Sequence, residues 1–148
     1  MRRPADRGVS TALGYVLTLS IATLLVTGLL VAGGDFVNDR REQVVRDELT
    51  VIGQQVSADL ARADRMVAAA DSSDPTVQVN KTYPDRVTGS TYLIGLDPAN
   101  DRIILASSDP EISITIDIVH RTSLGDSTAD GGTIQIAYDS GDLVIRDV

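Results

Sequence analysis

The sequence predicts an α+β protein: one long N-terminal helix, apolar in its first half and amphipathic in its second, packed on a small antiparallel β-sheet domain. Three observations predict it. Residues 9–34 carry no charged side chain. Between positions 45 and 67 apolar residues recur at helical spacing. Beyond position 76 the apolar period becomes two, as in half-buried strands. The chain therefore divides into a basic leader (1–8), a membrane-spanning helix (9–34), an amphipathic continuation (35–71) and a β-rich domain (76–148).

The leader reads Met1-Arg2-Arg3-Pro4-Ala5-Asp6-Arg7-Gly8. The uncharged run behind it covers 26 residues, about 39 Å as a helix, enough to cross a hydrocarbon core of about 30 Å. It is too long for the apolar region of a secretory signal. Ala32-Gly33-Gly34 comes nearest to a conventional cleavage site, but no obvious mature start follows it. Arg2, Arg3 and Arg7 place the N-terminus in the cytoplasm and the later residues outside. Arg40 and Arg41 pull against that orientation; Asp35, Asp39 and Glu42 weigh little. Within the run the polar side chains are hydroxyls, among them Thr18, Ser20, Thr23 and Thr27. Such hydroxyls bond backward to helix carbonyls. Gly28 and Ala32 form a small-xxx-small pair that permits close helix approach. The absence of an ionisable group gives no sign of a proton relay or ion path.

In the continuation, Val45, Leu49, Ile52, Val56, Leu60, Ala63 and Val67 follow spacings of three and four and trace one face. Arg46, Asp47, Asp59, Arg62 and Asp64 are expected on other faces. Packing on the chain's own β-domain is the favoured reading of the stripe; a parallel coiled coil and a lone surface helix are the alternatives. Asp35 or Asn38 would cap a restart if Gly33-Gly34 loosened the helix. Asp71-Ser72-Ser73-Asp74-Pro75 is expected to stop it.

Residues 91–96 and 102–106 read as strands joined by the turn Asp97-Pro98-Ala99-Asn100. Residues 111–118 place isoleucine at every second position, giving one dry and one wet face. Residues 133–138 and 143–145 read as a hairpin around Asp139-Ser140-Gly141-Asp142, and 77–79 as a shorter strand. Together they predict one antiparallel sheet of four to six strands, with the helix over its apolar face.

The chain holds 18 Asp, 3 Glu, 12 Arg and one Lys, with net charge −8. An acidic surface nearly free of lysine argues against nucleic-acid binding, which needs a cationic face. Asp excess together with Lys scarcity points to a high-salt environment, where counterions screen the self-repulsion. Cysteine is absent, so neither disulfides nor thiolate metal sites are expected. His120 is the sole histidine and no nucleophile motif accompanies it; it is expected at a strand end or in a turn, and no catalytic residue is assigned. Residues 126–131 match the opening of a calcium loop except at Thr128. The bidentate Glu at loop position twelve is replaced by Ala137, so a flexible polar loop is the expectation and no metal or cofactor is assigned. Asn80-Lys81-Thr82 is an N-glycosylation sequon on the expected outer side.

Arg7-Gly8-Val9-Ser10-Thr11-Ala12-Leu13-Gly14, continuing Tyr15-Val16-Leu17-Thr18, resembles the processing region of archaeal type IV prepilins, in particular the pilin-like secreted and membrane proteins of halophilic archaea. The resemblance covers about 25 residues. It implies a prepilin peptidase cut between Gly8 and Val9, with Arg7 in the leader and Val9 as the mature N-terminus. It also implies a 9–34 helix at a filament core, an upper helix laid on a sheet, and glycan decoration. Bacterial-type pilins carry Glu at the fifth mature position, where this chain has Leu13; archaeal members often lack that Glu. A physical reason supports a cut there, since arginines beside an apolar bundle would cost several kcal/mol each to bury unpaired.

The resemblance thus implies a structural subunit or minor component of a surface filament. Its partners would be the membrane, the prepilin peptidase and other pilin-like subunits in a homo- or hetero-oligomer. The location implied is a single-pass cell-membrane protein with its N-terminus inside and its β-domain outside. The alternative is a non-polymerising membrane-anchored protein whose extracellular β-domain binds a partner or ligand. A third reading, an envelope enzyme, has no residue constellation in its favour.

Overall fold

The computed structural model describes residues 4–70, 72 and 75–148, with side chains described from Thr11 onward. Met1, Arg2 and Arg3, together with Asp71, Ser73 and Asp74 of the expected helix stop, lie outside the described residues. Among the described residues one helix, α1 (Pro4–Ala69), precedes eight strands. The chain forms two compact units, divided between Arg40 and Arg41.

The described residues of the first unit are all helical. Gly33 and Gly34 do not interrupt it, so Asp35 and Asn38 lie inside α1 and neither caps a restart. Each glycine costs roughly 1 kcal/mol relative to alanine in a helix, which the long helical run on either side absorbs. The hydroxyls bond backward as expected: Thr18 to the Gly14 carbonyl at 2.8 Å, Ser20 to Val16 at 2.8 Å, Thr23 to Leu19 at 2.8 Å and Thr27 to Thr23 at 2.9 Å. At the end of the unit the Arg40 guanidinium stands 5.4 Å from the centre of the Phe36 ring, within cation–π range.

The second unit holds the rest of α1 and all the strands. Here the helical stripe is buried in the β-domain's own core: Val45, Leu49, Ile52, Val56, Leu60 and Ala63 are each at most 4% exposed. Gly53 shows how closely helix and sheet approach. A Cβ there would stand 2.8 Å from Ile116 Cγ1 and 2.9 Å from Leu105 Cδ1.

The strands are β1 (Gln78–Thr82), β2 (Tyr92–Asp97), β3 (Arg102–Ser108), β4 (Glu111–Asp117), β5 (Ser123–Leu124), β6 (Ser127–Asp130), β7 (Thr133–Asp139) and β8 (Asp142–Asp147). They form two four-stranded sheets, β1-β7-β8-β5 and β4-β3-β2-β6, rather than one. All pairs are antiparallel except β5 with β8. The two strands missing from the sequence reading carry little apolar signal. β5 has two residues, and β6 reads Ser-Thr-Ala-Asp with only Ala129 buried.

Ile94, Leu96, Ile103 and Leu105 from one sheet join Ile134, Ile136, Leu143 and Ile145 from the other in a single core. Ser127 and Asp147 tie the sheets together. Ser127 Oγ accepts from the Ile145 amide at 3.0 Å, and Asp147 Oδ1 accepts from the Asp130 amide at 2.7 Å.

The turns follow from local chemistry. Between β7 and β8, Ser140 and Gly141 have φ of 54° and 105°, the left-handed pair that a two-residue hairpin requires. Between β2 and β3, the Asp97 carboxylate accepts from the Ala99 amide at 3.1 Å and from Asn100 Nδ2 at 2.7 Å.

Candidate functional site

The first unit's helix presents apolar side chains in every direction. Leu13, Tyr15, Val16, Leu17, Leu19 and Ile21 are exposed, as are Leu24, Leu25, Val26, Leu29, Leu30 and Val31; the fractions run from 50% at Ile21 to 73% at Leu29. At 100° per residue these positions leave no polar face. A helix apolar all round belongs in an apolar surrounding. At roughly 2 kcal/mol for each large side chain withdrawn from water, the drive toward one is large. The helix is long and apolar enough to cross a membrane. Arg7, Gly8 and Val9 belong to the backbone of α1, but their side chains lie outside the described residues.

Asn80 lies on edge strand β1, which pairs with β7 alone. Alternation along the strand sends Gln78, Asn80 and Thr82 to the solvent face. Asn80 Oδ1 accepts from Gln135 Nε2 at 3.0 Å, and the hydroxyls of Thr82 and Thr133 are 3.1 Å apart. Lys81, between the two sequon residues, is half-buried on the other face. Its Nζ sits 3.0 Å from Asp59 Oδ1 on α1, while the Tyr83 hydroxyl donates to Asp59 Oδ2 at 3.0 Å. Burial first, then this bond and the Asp59 charge, push the Tyr83 phenol well above its ordinary range. Tyr92, whose hydroxyl donates to the Pro84 carbonyl at 2.7 Å, is pushed up to about 12 by burial and then by the Asp85 charge.

His120 sits in the connection between β4 and β5, and both ring nitrogens are engaged. Nδ1 is 2.8 Å from the Thr122 carbonyl and Nε2 is 3.0 Å from Asp101 Oδ1. Neither faces a hydroxyl nucleophile. Beside it, Asp64 corrects the sequence reading. It was expected off the packed face, yet it is 6% exposed, one helical turn beyond Leu60. The stripe runs 60, 63, 64 and 67, and an acidic residue at a stripe position was the available signal. Its carboxylate accepts from the Arg121 and Thr122 amides at 3.1 Å and 2.8 Å.

Burial alone would raise the Asp64 pKa; the Thr122 amide and hydroxyl, the Arg121 amide and the His120 charge outweigh it and hold the carboxyl below its ordinary value. For His120, burial works toward a lower pKa. The bond to Asp101, the Thr122 carbonyl and the charges of Asp101 and Asp64 win and raise it.

Residues 126–131 are not a flexible loop. Four of them form β6, in register with β2 from Leu93↔Asp130 to Leu96↔Ser127. A strand points alternate side chains to opposite faces, so it cannot wrap them around one cation. Among the described residues no group of three or more His, Asp or Glu side chains is placed to hold a metal ion.

The chain matches a family of unknown function, DUF7266, over residues 4–146, and belongs to that family. The match runs through the apolar helix, the amphipathic helix and the β-domain alike. No curated protein and no solved structure matches the chain.

Proposed function

We propose that this protein is a pilin-like subunit of a surface filament, made as a membrane precursor with its N-terminus in the cytoplasm and its β-domain outside. The observation that supports it most is the apolar helix of the first unit, exposed on every side and directly preceded by Arg7-Gly8-Val9. In the membrane its neighbours are lipid tails. After a prepilin peptidase removes residues 1–8, no leader arginine remains beside the apolar segment, and the helix passes into a bundle of similar helices. There, packing of small residues such as Gly28 and Ala32 replaces lipid contact. The amphipathic helix and the β-domain form a folded head with its own core, so assembly does not depend on the head for apolar burial.

The test is the N-terminal residue of the protein purified from membranes and from sheared surface material. The expected result is Val9 in both, with accumulation of the Met1 form when Gly8 is replaced by a bulky residue. A mature form that retains Met1, with nothing released by shearing, overturns the subunit reading in favour of a permanent single-pass anchor. A form beginning beyond Gly34 removes the helix and both readings with it.

A further inference from the structure

We infer that Asn80 is a glycan attachment site and that the outer face of β1 is the sugar-covered side of the β-domain. Three observations lead there. The chain has three asparagines, Asn38, Asn80 and Asn100, and only Asn80 is followed two residues later by Ser or Thr. The strand places Asn80 and Thr82 on the same exposed face, while Lys81 turns inward to Asp59. The two side chains that a transferase must read together are thus presented side by side. Third, β1 is an edge strand held on one flank only, by five residue pairs with β7. Such a strand presents its outer side chains, Gln78, Asn80 and Thr82, while its other face stays seated through Val79 on the core and Lys81 on Asp59. Its exposed side chains do not enter that core.

The chemistry is a glycosyl transfer from a lipid-phosphate-linked oligosaccharide. Asn80 Nδ2 loses a proton and bonds to the anomeric carbon. The bond from that carbon to the phosphate oxygen breaks, and the lipid phosphate leaves with the electron pair, which takes up the proton released by Nδ2. Around Asn80 the face is polar, with Gln78, Thr82, Thr133 and Gln135, so an attached sugar displaces water and not an apolar neighbour. The sugar also blunts the open flank of β1, the kind of edge that otherwise pairs with another chain. The inference rests on the β-domain lying outside the cell, and not on whether filaments form.

The test is tandem mass spectrometry of the peptide covering residues 66–86, from the full-length chain purified out of its own cells. Protease treatment of intact cells, to locate the β-domain, accompanies it. The expected result is a mass increment in whole sugar residues on Asn80, lost in Asn80→Gln and Thr82→Ala and kept in Thr82→Ser. A β-domain cleaved from outside together with an unmodified Asn80 overturns the glycan and spares the proposed orientation. A β-domain that is protected in intact cells but cleaved once they are lysed overturns both.

Discussion

Asp64, on the packed face of α1, accepts the Thr122 amide at 2.8 Å across 58 residues of sequence. The Arg121 amide reaches the same carboxylate. One buried side chain thus terminates two backbone donors of the β4–β5 connection and holds the end of the helix to the sheets. Removing the acceptor leaves those two half-buried backbone donors without their protein partner. Asp64→Ala is expected to cost about 3 kcal/mol, since a hydrogen bond to a charged group contributes about 1.5–3 kcal/mol. Asp64→Asn, which keeps one acceptor oxygen, should cost less. Denaturant midpoints of the detergent-solubilised chain measure both, and an unchanged midpoint for Asp64→Ala would contradict the clamp.

The same region sets two pH limits. The folded pKa of His120 is raised, so its contribution is complete below the unfolded value of about 6.5 and disappears as pH climbs through the folded value. The folded pKa of Asp64 is lowered. Its contribution is complete above about 3.9 and disappears as pH falls through the folded value. Stability should therefore decline on the alkaline side of about pH 6.5 and again in strong acid. His120→Gln is expected to flatten the first slope and to weaken the second only slightly, since the His120 charge is the smallest of the contributions that hold Asp64 down, as read by thermal melts across pH.

At Gly53 two effects compete. Alanine would gain roughly 1 kcal/mol of helix propensity, but its Cβ would meet Ile116 and Leu105 at under 3 Å. Overpacking a core costs about 1–3 kcal/mol. Gly53→Ala is expected to be destabilising by about 1 kcal/mol net, and Gly53→Leu by more. A stabilised Gly53→Ala would show that helix and sheet move apart freely there.

A charge in the apolar helix tests its surroundings directly. Leu24 lies mid-run and is 72% exposed. Arginine near the centre of a spanning helix costs about 2.5–3.5 kcal/mol in insertion. Leu24→Arg should sharply reduce the alkali-resistant membrane fraction, whereas Thr50→Arg, outside the run, should not.

The helix was legible because its signals are long: 26 uncharged residues and then a stripe sustained over seven apolar positions. The isoleucine alternation of β4 and the turn at Asp97 were equally plain. What sequence could not show was pairing. β5 and β6 carry almost no apolar pattern and exist because β8 and β2 offer them partners, so one expected sheet became two. Asp64 escaped because an acidic residue is ordinarily read as solvent-facing, and its amide donors lie 57 and 58 residues away. The sequon at Asn80 was visible as letters. That Lys81 turns inward while its neighbours face water needed the register of β1.

The hydroxyls of Thr18, Ser20, Thr23 and Thr27 are each spent on a carbonyl of their own helix. Those four side chains therefore offer no outward donor that a new neighbour would have to match. For any apolar neighbour along that stretch the fit is therefore a question of shape, and contact with it breaks none of those four bonds.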